Sequence, residues 1–420
     1  MNTEEAQAQF VMRFIERTDV LAKELFDCKR FAEAAHVAEA VIGLTDGTFG
    51  SFLNAARCHI YGGDPERAEE LLNRARVSDS RALGDTSDMQ VMVLALVWQG
   101  KFSEAEAVIR KLEDSPEKFY NLGWHALRRG NIKDAFPLLE HGRSIGVWGD
   151  NDFHLTTRRW DGVSDLKGKS VLLNLERGLG DHIIEARHAR DLAALGAIVT
   201  IRTNQSLVAT LSQAEGVVGA TSNIVPHDVW VPGMAVPALL HMEKLDGRPY
   251  LKPIPYKAAE WAERLGKKTK PRIGIRWRGN PKFEDEQRRK FPPELLFNAL
   301  RGMGDLFSFQ RDEGTEFCPP YIRDLSSQLV TWEDTCAALS QMDVVVSSCT
   351  SIVHAAAAMG VNTIVITPIL SYYPWADETI LPRSNWYDSV LVTKQAKIGR
   401  WNEAIDLAAE HVQTFLSAKK

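Results

Sequence analysis

Apolar positions along the chain change period near residue 150. Before it they recur every three to four residues, the spacing of amphipathic helices. Three turns there share one signature, a glycine followed five residues later by alanine: Gly63 and Ala68, Gly100 and Ala105, Gly130 and Ala135. A degenerate fourth runs from Lys29 to Ala34, with Phe31 where Phe102 and Ile132 stand in the others. The offsets average near the ~34 residues of a helix-pair repeat. Tyr120-Asn121-Leu122-Gly123-Trp124 alternates large and small residues where paired helices would interlock. The plain alternative is a helical bundle with coincidental spacing. A concave repeat face suits binding or dimerisation better than catalysis.

From Gly168 onward, short apolar runs alternate with helical stretches. Segments 171–175, 197–202 and 229–231 read as strands of one α/β unit. A stretch rich in lysine and proline, 253–271, contains a predicted helix around Trp261. Segments 272–277, 306–309, 343–347 and 363–367 read as strands of a second unit. The tail from Trp401 reads as an amphipathic helix able to pack back across the join. Two such halves in series predict a cleft between them.

Bulk properties narrow the class without naming it. The 420 residues allow two or three domains, and 45% hydrophobic with 25% charged residues is an ordinary globular balance. A net charge of −5 gives no footprint for bulk nucleic-acid binding, so nucleic acid is disfavoured as a partner. Five scattered cysteines form no CxxC pair and no zinc spacing, as in a reducing compartment. The acidic N-terminus lacks the build of a signal peptide, and no apolar run is long enough to span a bilayer. The expectation is a cytoplasmic protein without a transmembrane segment.

Chemistry concentrates at three places. In the first, Glu176-Arg177-Gly178-Leu179-Gly180-Asp181 joins a predicted strand to a helix. Gly178 and Gly180 let backbone approach a ligand, and Asp181 follows at the carboxyl end of the strand, where open α/β sheets place their sites. Asp181 there is either a helix-start cap or a general base. His182 reads as accessory or exposed. The second place is Ser347-Ser348-Cys349-Thr350-Ser351-Ile352-Val353-His354, at the start of a helix of small residues. Its hydroxyls and N–H groups suit a diphosphate, and His354 adds a donor or is simply a buried core histidine.

The third place is Arg276-Trp277-Arg278-Gly279-Asn280-Pro281, leading to Arg288-Arg289-Lys290. Those cations could neutralise a leaving diphosphate without a metal. Asp150-Asn151-Asp152 imitates a metal motif but falls in an interdomain turn and reads as a loop. No HExxH, phosphate-loop lysine or GxGxxG motif occurs.

With these residues in order, the chain resembles bacterial tetratricopeptide-repeat glycosyltransferases. Its catalytic half is similar to the lipopolysaccharide heptosyltransferase family and, distantly, to O-GlcNAc transferase. The resemblance runs from Gly146-Val147-Trp148-Gly149 through Glu176 to Asp181, then Pro249-Tyr250-Leu251, Arg289-Lys290 and Phe307-Ser308-Phe309-Gln310. It continues through 343–360 to Trp386-Tyr387 and Gln395.

It implies an α plus α/β architecture: helical repeats over 1–150, then a GT-B fold of two Rossmann-like domains. The acceptor-side lobe would be 151–262 and the nucleotide-sugar lobe 263–420. The implied reaction is inverting, metal-independent sugar transfer to a hydroxyl, with no cofactor beyond the nucleotide-sugar co-substrate. The acceptor would be a glycan or protein, held by the repeats. Asp181 would be the base and His354 a catalytic partner. Gly178, Gly180, Arg278, Asn280, Arg289, Lys290, Gln310, Cys349, Thr350, Ser351 and Trp375 would bind the donor. Cys349 departs from an aspartate of many heptosyltransferases, and Tyr372-Tyr373-Pro374-Trp375 departs as well, so a different sugar or base pocket is implied. The rival expectation is a non-catalytic scaffold on a degenerate transferase fold.

Overall fold

The computed structural model describes residues 3–44, 47–78, 86–148, 156–280, 286–311 and 313–417. The chain divides into two compact units, Met1–Lys118 with Lys397–Gly399, and Phe119–Ala396 with Arg400–Lys420. That division falls earlier than the boundary expected near residue 150, and it leaves the last helix pair with the second unit.

The first unit holds α1 (Thr3–Asp27), α2 (Phe31–Leu44), α3 (Phe49–Gly62), α4 (Pro65–Ser78), α5 (Thr86–Trp98) and α6 (Phe102–Ile109). Then come α7 (Pro116–Arg128) and α8 (Ile132–Leu139). The turn residues Lys29, Gly63, Gly100 and Gly130 all take left-handed backbone, with φ of 60°, 90°, 77° and 69°. At each turn the next N–H reaches the carbonyl five residues back: Arg30 to Leu25, Asp64 to His59, Lys101 to Leu96, Asn131 to Ala126. This is a Schellman-type helix end, which glycine adopts at least cost. The alanines that follow, Ala34, Ala68, Ala105 and Ala135, are each 0% exposed. The repeated signature therefore has one local cause: a left-handed turn, then a small residue where two helices touch.

Gly123 plays the same part within α7. A Cβ there would stand 2.9 Å from Leu139 Cγ and 3.0 Å from the Leu139 nitrogen of α8.

The second unit contains two fully parallel sheets. The first has the order β1 (Arg158–Arg159), β5 (Val229–Pro232), β2 (Ser170–Asn174), β3 (Ile198–Arg202), β4 (Val217–Thr221). The second runs β11 (Val390–Lys394), β10 (Asn362–Thr367), β9 (Val344–Ser348), β6 (Arg272–Arg276), β7 (Asp305–Ser308), β8 (Arg323–Asp324). Val171, Leu172 and Leu173 are buried, as is every residue of β9. Continuous apolar runs of that kind mark strands covered on both faces. The strand order reverses at β2 and again at β6, so each sheet has a switch point of the sort where ligands bind.

Connecting helices are α9 (Leu179–Glu185), α10 (His188–Ala194), α11 (Val208–Leu211), α12 (Val236–Leu239) and α13 (Pro255–Leu265). They continue with α14 (Glu286–Arg289), α15 (Pro293–Leu300), α16 (Trp332–Leu339), α17 (Ser351–Ala358) and α18 (Asn402–Ser417).

One apolar core runs through both lobes, from Leu173 and Ile183 to Val345 and Ile352. The N–H groups of Tyr250 and Leu251 donate to Ala358 O, and Arg187 donates to Trp386 O, so the lobes are also stitched by polar contacts. The tail helix differs from expectation. Trp401, Ala404, Ile405, Ala408 and Val412 pack with Ile273, Val344 and Ile364, so α18 covers the second sheet and does not bridge a join. Among the described residues no helix is long and apolar enough to cross a membrane.

Gly123→Val should force α7 from α8 and cost about 1–3 kcal/mol by overpacking. Urea unfolding should report it as a lower midpoint.

Candidate active site

The loop after β2 is shaped by an arginine. Arg177 takes φ of +67°, while Gly178 is extended and opens α9. The glycines serve proximity instead of strain. A Cβ on Gly178 would lie 3.4 Å from Asp181 Oδ2, and one on Gly180 would lie 3.2 Å from His354 Cδ2 and 3.6 Å from Ser351 Cα. The start of α9 therefore rests against the start of α17. The first two predicted constellations, remote in sequence, are neighbours.

Asp181 is only 7% exposed. Its Oδ2 accepts from the Gly178 N–H at 3.1 Å, and its Oδ1 accepts from the hydroxyls of Tyr372 at 2.5 Å and Tyr373 at 3.2 Å. Three of roughly four lone-pair positions are thus filled, leaving one on Oδ2 beside side-chain-free Gly178. Burial raises the carboxyl pKa, and the Arg177 cation opposes that rise. Asp181 both caps α9 and keeps an open acceptor site, so the two expectations for it are compatible.

The neighbouring acids are managed separately. Glu176 is ion-paired with Arg143, at 2.5 and 2.9 Å. Glu185, 0% exposed, accepts from the Glu176 N–H at 3.0 Å. Burial, then the negative charges of Glu176 and Asp181, push its pKa well above the usual carboxylate range. That environment favours the protonated form of Glu185, which lowers charge repulsion behind Asp181.

Aromatic side chains from distant segments surround this carboxylate. Tyr372 and Tyr373 have ring centroids 4.6 Å apart, and Trp124 lies 5.9 Å from Tyr373. Tyr120 meets Trp148 at 5.8 Å, and the Arg177 guanidinium lies over Trp148 at 5.1 Å and over Tyr372 at 5.6 Å. None of Tyr120, Trp124, Trp148 or Arg177 was predicted as a site residue. Tyr120 and Trp124 read as packing, whereas Arg177 and Trp148 stand inside the singled-out stretches 176–181 and 146–149, and 372–375 departs from the resemblance.

At the second constellation β9 ends in Ser348 and Thr350 caps α17, without a side-chain hydrogen bond to the helix. Thr350 Oγ1 instead meets Ser347 Oγ at 3.2 Å. The buried Ser348 hydroxyl has no hydrogen-bond partner among the described residues. Ser351, half-buried, is the first helical residue. Arg289 donates to Cys349 O at 2.8 Å, which brings the cationic segment to this helix start. Lys290 is half-buried and makes no hydrogen bond or ion pair within the described residues.

Several predicted residues are held in buried side-chain contacts. His354 is buried, stacked on Trp375 at 5.1 Å and 8°, with Nδ1 3.3 Å from the Tyr387 hydroxyl. Burial, with Arg187 nearby, pushes its pKa down to about 3, so it is a neutral packing residue. Trp375 is spent on that stack and on donating to Cys349 Sγ at 3.2 Å. Cys349 is itself buried.

Gln310 is fully enclosed. Its Oε1 accepts from the N–H groups of Trp277 and Arg278, and its Nε2 donates to Glu313 O, so it ties two strand ends together. Arg278 pairs with Glu313 at 2.8 Å and lies over Phe317. Asn280 is exposed at the end of its described segment, and Pro281 lies outside the described residues. His182 is buried, not exposed, with Nδ1 2.8 Å from Thr203 Oγ1, and burial lowers its pKa to about 4. Asp150, Asn151 and Asp152 lie outside the described residues, within which no cluster of three metal-ligating side chains forms.

No family model matches the chain. It is 23% identical to protein FlbA of Caulobacter vibrioides, across 100% of this chain and 77% of that protein. Among solved structures, it is similar to a glycosyl transferase family 9 protein of Veillonella parvula, with TM-score 0.47 and 10% identity over 61% of this chain and 99% of that one. It is also similar to Escherichia coli ADP-heptose lipopolysaccharide heptosyltransferase II, with TM-score 0.42 and 13% identity over 59% and 98%. An O-GlcNAc transferase from Thermobaculum terrenum gives TM-score 0.35 and 14% identity over 100% and 94%.

The buried imidazole sets an acid-side test. An unfolded histidine takes its proton near pH 6.5, while His354 resists protonation down to about 3. The unfolded state binds more protons in that window, so stability falls as pH drops through it. His354→Gln should remove that term. Compared with the variant, the wild type should lose about 1.6 kcal/mol more between pH 6.5 and 5 in denaturant titrations, the slope reaching about 1.4 kcal/mol per pH unit once the unfolded histidine is fully protonated.

Proposed function

We propose that this chain is an inverting glycosyltransferase that moves a sugar from a nucleotide-sugar to a hydroxyl acceptor, on a GT-B arrangement of two lobes, without a metal. One observation carries the reading. Gly180 lets the start of α9 touch the start of α17, so the buried carboxylate of Asp181 comes directly after the residue that meets Ser351 at a helix N-terminus. A proton acceptor and an anion site are the two things such a transfer needs side by side.

In this mechanism Asp181 accepts the acceptor's proton on Oδ2, its open position, while the acceptor oxygen attacks the anomeric carbon. The bond from that carbon to the diphosphate oxygen breaks on the opposite face. The departing negative charge is met by the N–H groups at the start of α17, by Thr350 and Ser351, and by Lys290. Arg289 serves mainly to hold the cationic segment against Cys349 O. Tyr372, Tyr373 and the Gly178 N–H fix the orientation of the carboxylate, and its raised pKa makes it a better proton acceptor. The helix pairs of the first unit would hold the acceptor, a glycan or protein, or a partner. A cytoplasmic setting, with nucleotide-sugars at hand, fits this reaction.

The alternative is a scaffold that binds without turnover. The enclosure of Asp181 by two tyrosines and a backbone N–H favours it. Release of nucleotide from a pool of nucleotide-sugars separates the two. Asp181→Asn should lower turnover about 10²–10⁴-fold, the usual share of a general base, and leave nucleotide affinity within about threefold. A fully active Asp181→Asn would remove the base assignment, and a wild type that releases nothing would favour the scaffold.

A further inference from the structure

We infer that Arg177 and the rings around it form a subsite for an anionic sugar, so that the acceptor carries a carboxylate or phosphate close to the attacking hydroxyl. The inference rests on the transferase reading for the word acceptor, but not for the subsite itself.

Arg177 is exposed, and among the described residues its guanidinium forms no hydrogen bond or ion pair. Asp181, whose charge Arg177 feels, is held by Gly178, Tyr372 and Tyr373 and forms no ion pair with it. What Arg177 does contact is aromatic, the rings of Trp148 and Tyr372. A ring over a guanidinium occupies its face and leaves the in-plane N–H bonds, the fork that takes a carboxylate or phosphate in two hydrogen bonds. The backbone holds this fork in place at φ of +67°, a conformation uncommon outside glycine.

The surroundings select for a sugar over a simple ion. Tyr120, Trp124 and Tyr372 are each only half-buried, and they edge the same carboxylate. Partly open aromatic rings offer apolar faces with hydrogen-bonding tips, a surface suited to a pyranose. Tyr120 and Trp124 stand one turn apart on α7 and so present their rings on one face. A ring bound on that surface, with its anionic group on Arg177, would lie beside Oδ2 of Asp181.

The test uses the full-length protein and ligand-observed NMR titrations. Probes are glucuronate and galacturonate, glucose 6-phosphate, the neutral hexoses glucose and galactose, and the nucleotides UDP, GDP and ADP. The wild type should bind an anionic sugar at least about tenfold tighter than its neutral counterpart, as a charge-assisted fork predicts. Preference for the uronates over the phosphate, or the reverse, identifies which anion the fork takes. Arg177→Met should reduce the preference to within about twofold and leave nucleotide binding unchanged; Arg177→Lys should keep only part of it. Melting curves check that both variants fold, and the lysine variant carries the test if the methionine variant does not.

Equal binding of neutral and anionic sugars by the wild type would overturn the subsite, as would an undiminished preference in either variant. Loss of nucleotide binding in Arg177→Met would also overturn it, because the fork would then serve the donor's phosphates. Nucleotide binding without anionic preference leaves the transferase reading intact. Anionic preference without any nucleotide binding upholds the subsite and removes that reading.

Discussion

The contact at Gly180 is the constraint on which the second unit depends. With no side chain there, α9 lies close to α17: a Cβ would stand 3.2 Å from His354 Cδ2, a tight contact, and 3.6 Å from Ser351 Cα. α9 follows β2, where its sheet reverses order, and α17 follows β9, which pairs with β6, the reversal strand of the other sheet. Close approach of the two helix starts therefore brings the two switch points together. The contacts that keep them there are buried ones: Tyr250 hydroxyl to Ile183 O at 2.7 Å, backbone bonds to Ala358 O, and Arg187 among Tyr250, Trp386 and Tyr387.

A second constraint follows from gathering acids behind that contact. Glu176, Asp181 and Glu185 lie within one strand end and one helix, and three buried negative charges would repel strongly. Each is treated differently. Glu176 has an arginine partner, burial and its acidic neighbours push the Glu185 pKa up, and Asp181 is stabilised by hydrogen bonds from two tyrosines and a backbone N–H. Asp181 keeps an open acceptor position on Oδ2 beside the Gly178 backbone.

Much of this was legible in the chain. The four helix turns could be read because glycine or lysine at a left-handed position and alanine at a helix contact are local demands. All seven predicted strands have counterparts, since buried parallel strands are nearly continuous apolar runs. The half-exposed edge strand β4, with Gly219 and Ala220, carries little such signal, whereas Val390, Leu391 and Val392 of β11 were a readable run. Motif reading takes His354, Gln310 and Trp375 as site residues, and in the structure all three are buried. Whether such a side chain faces a ligand or the core depends on tertiary packing, which residue spacing does not report. The aromatic rim was hidden for a related reason. Tyr120 and Trp124 have the spacing of ordinary helix packing, and only the fold brings α7 to residues 372–373.

The measurement that reaches the central claim most directly is a thermal-shift screen of the full-length protein against UDP-, GDP-, ADP-, CMP- and dTDP-sugars. A ligand well above its dissociation constant stabilises the folded state by mass action, about 2.7 kcal/mol at a hundredfold excess. If the start of α17 and Lys290 form a donor site, one nucleotide class should raise the melting temperature clearly above the others, and Lys290→Ala should reduce that rise. A well-folded protein whose melting temperature none of the five moves would contradict the claim.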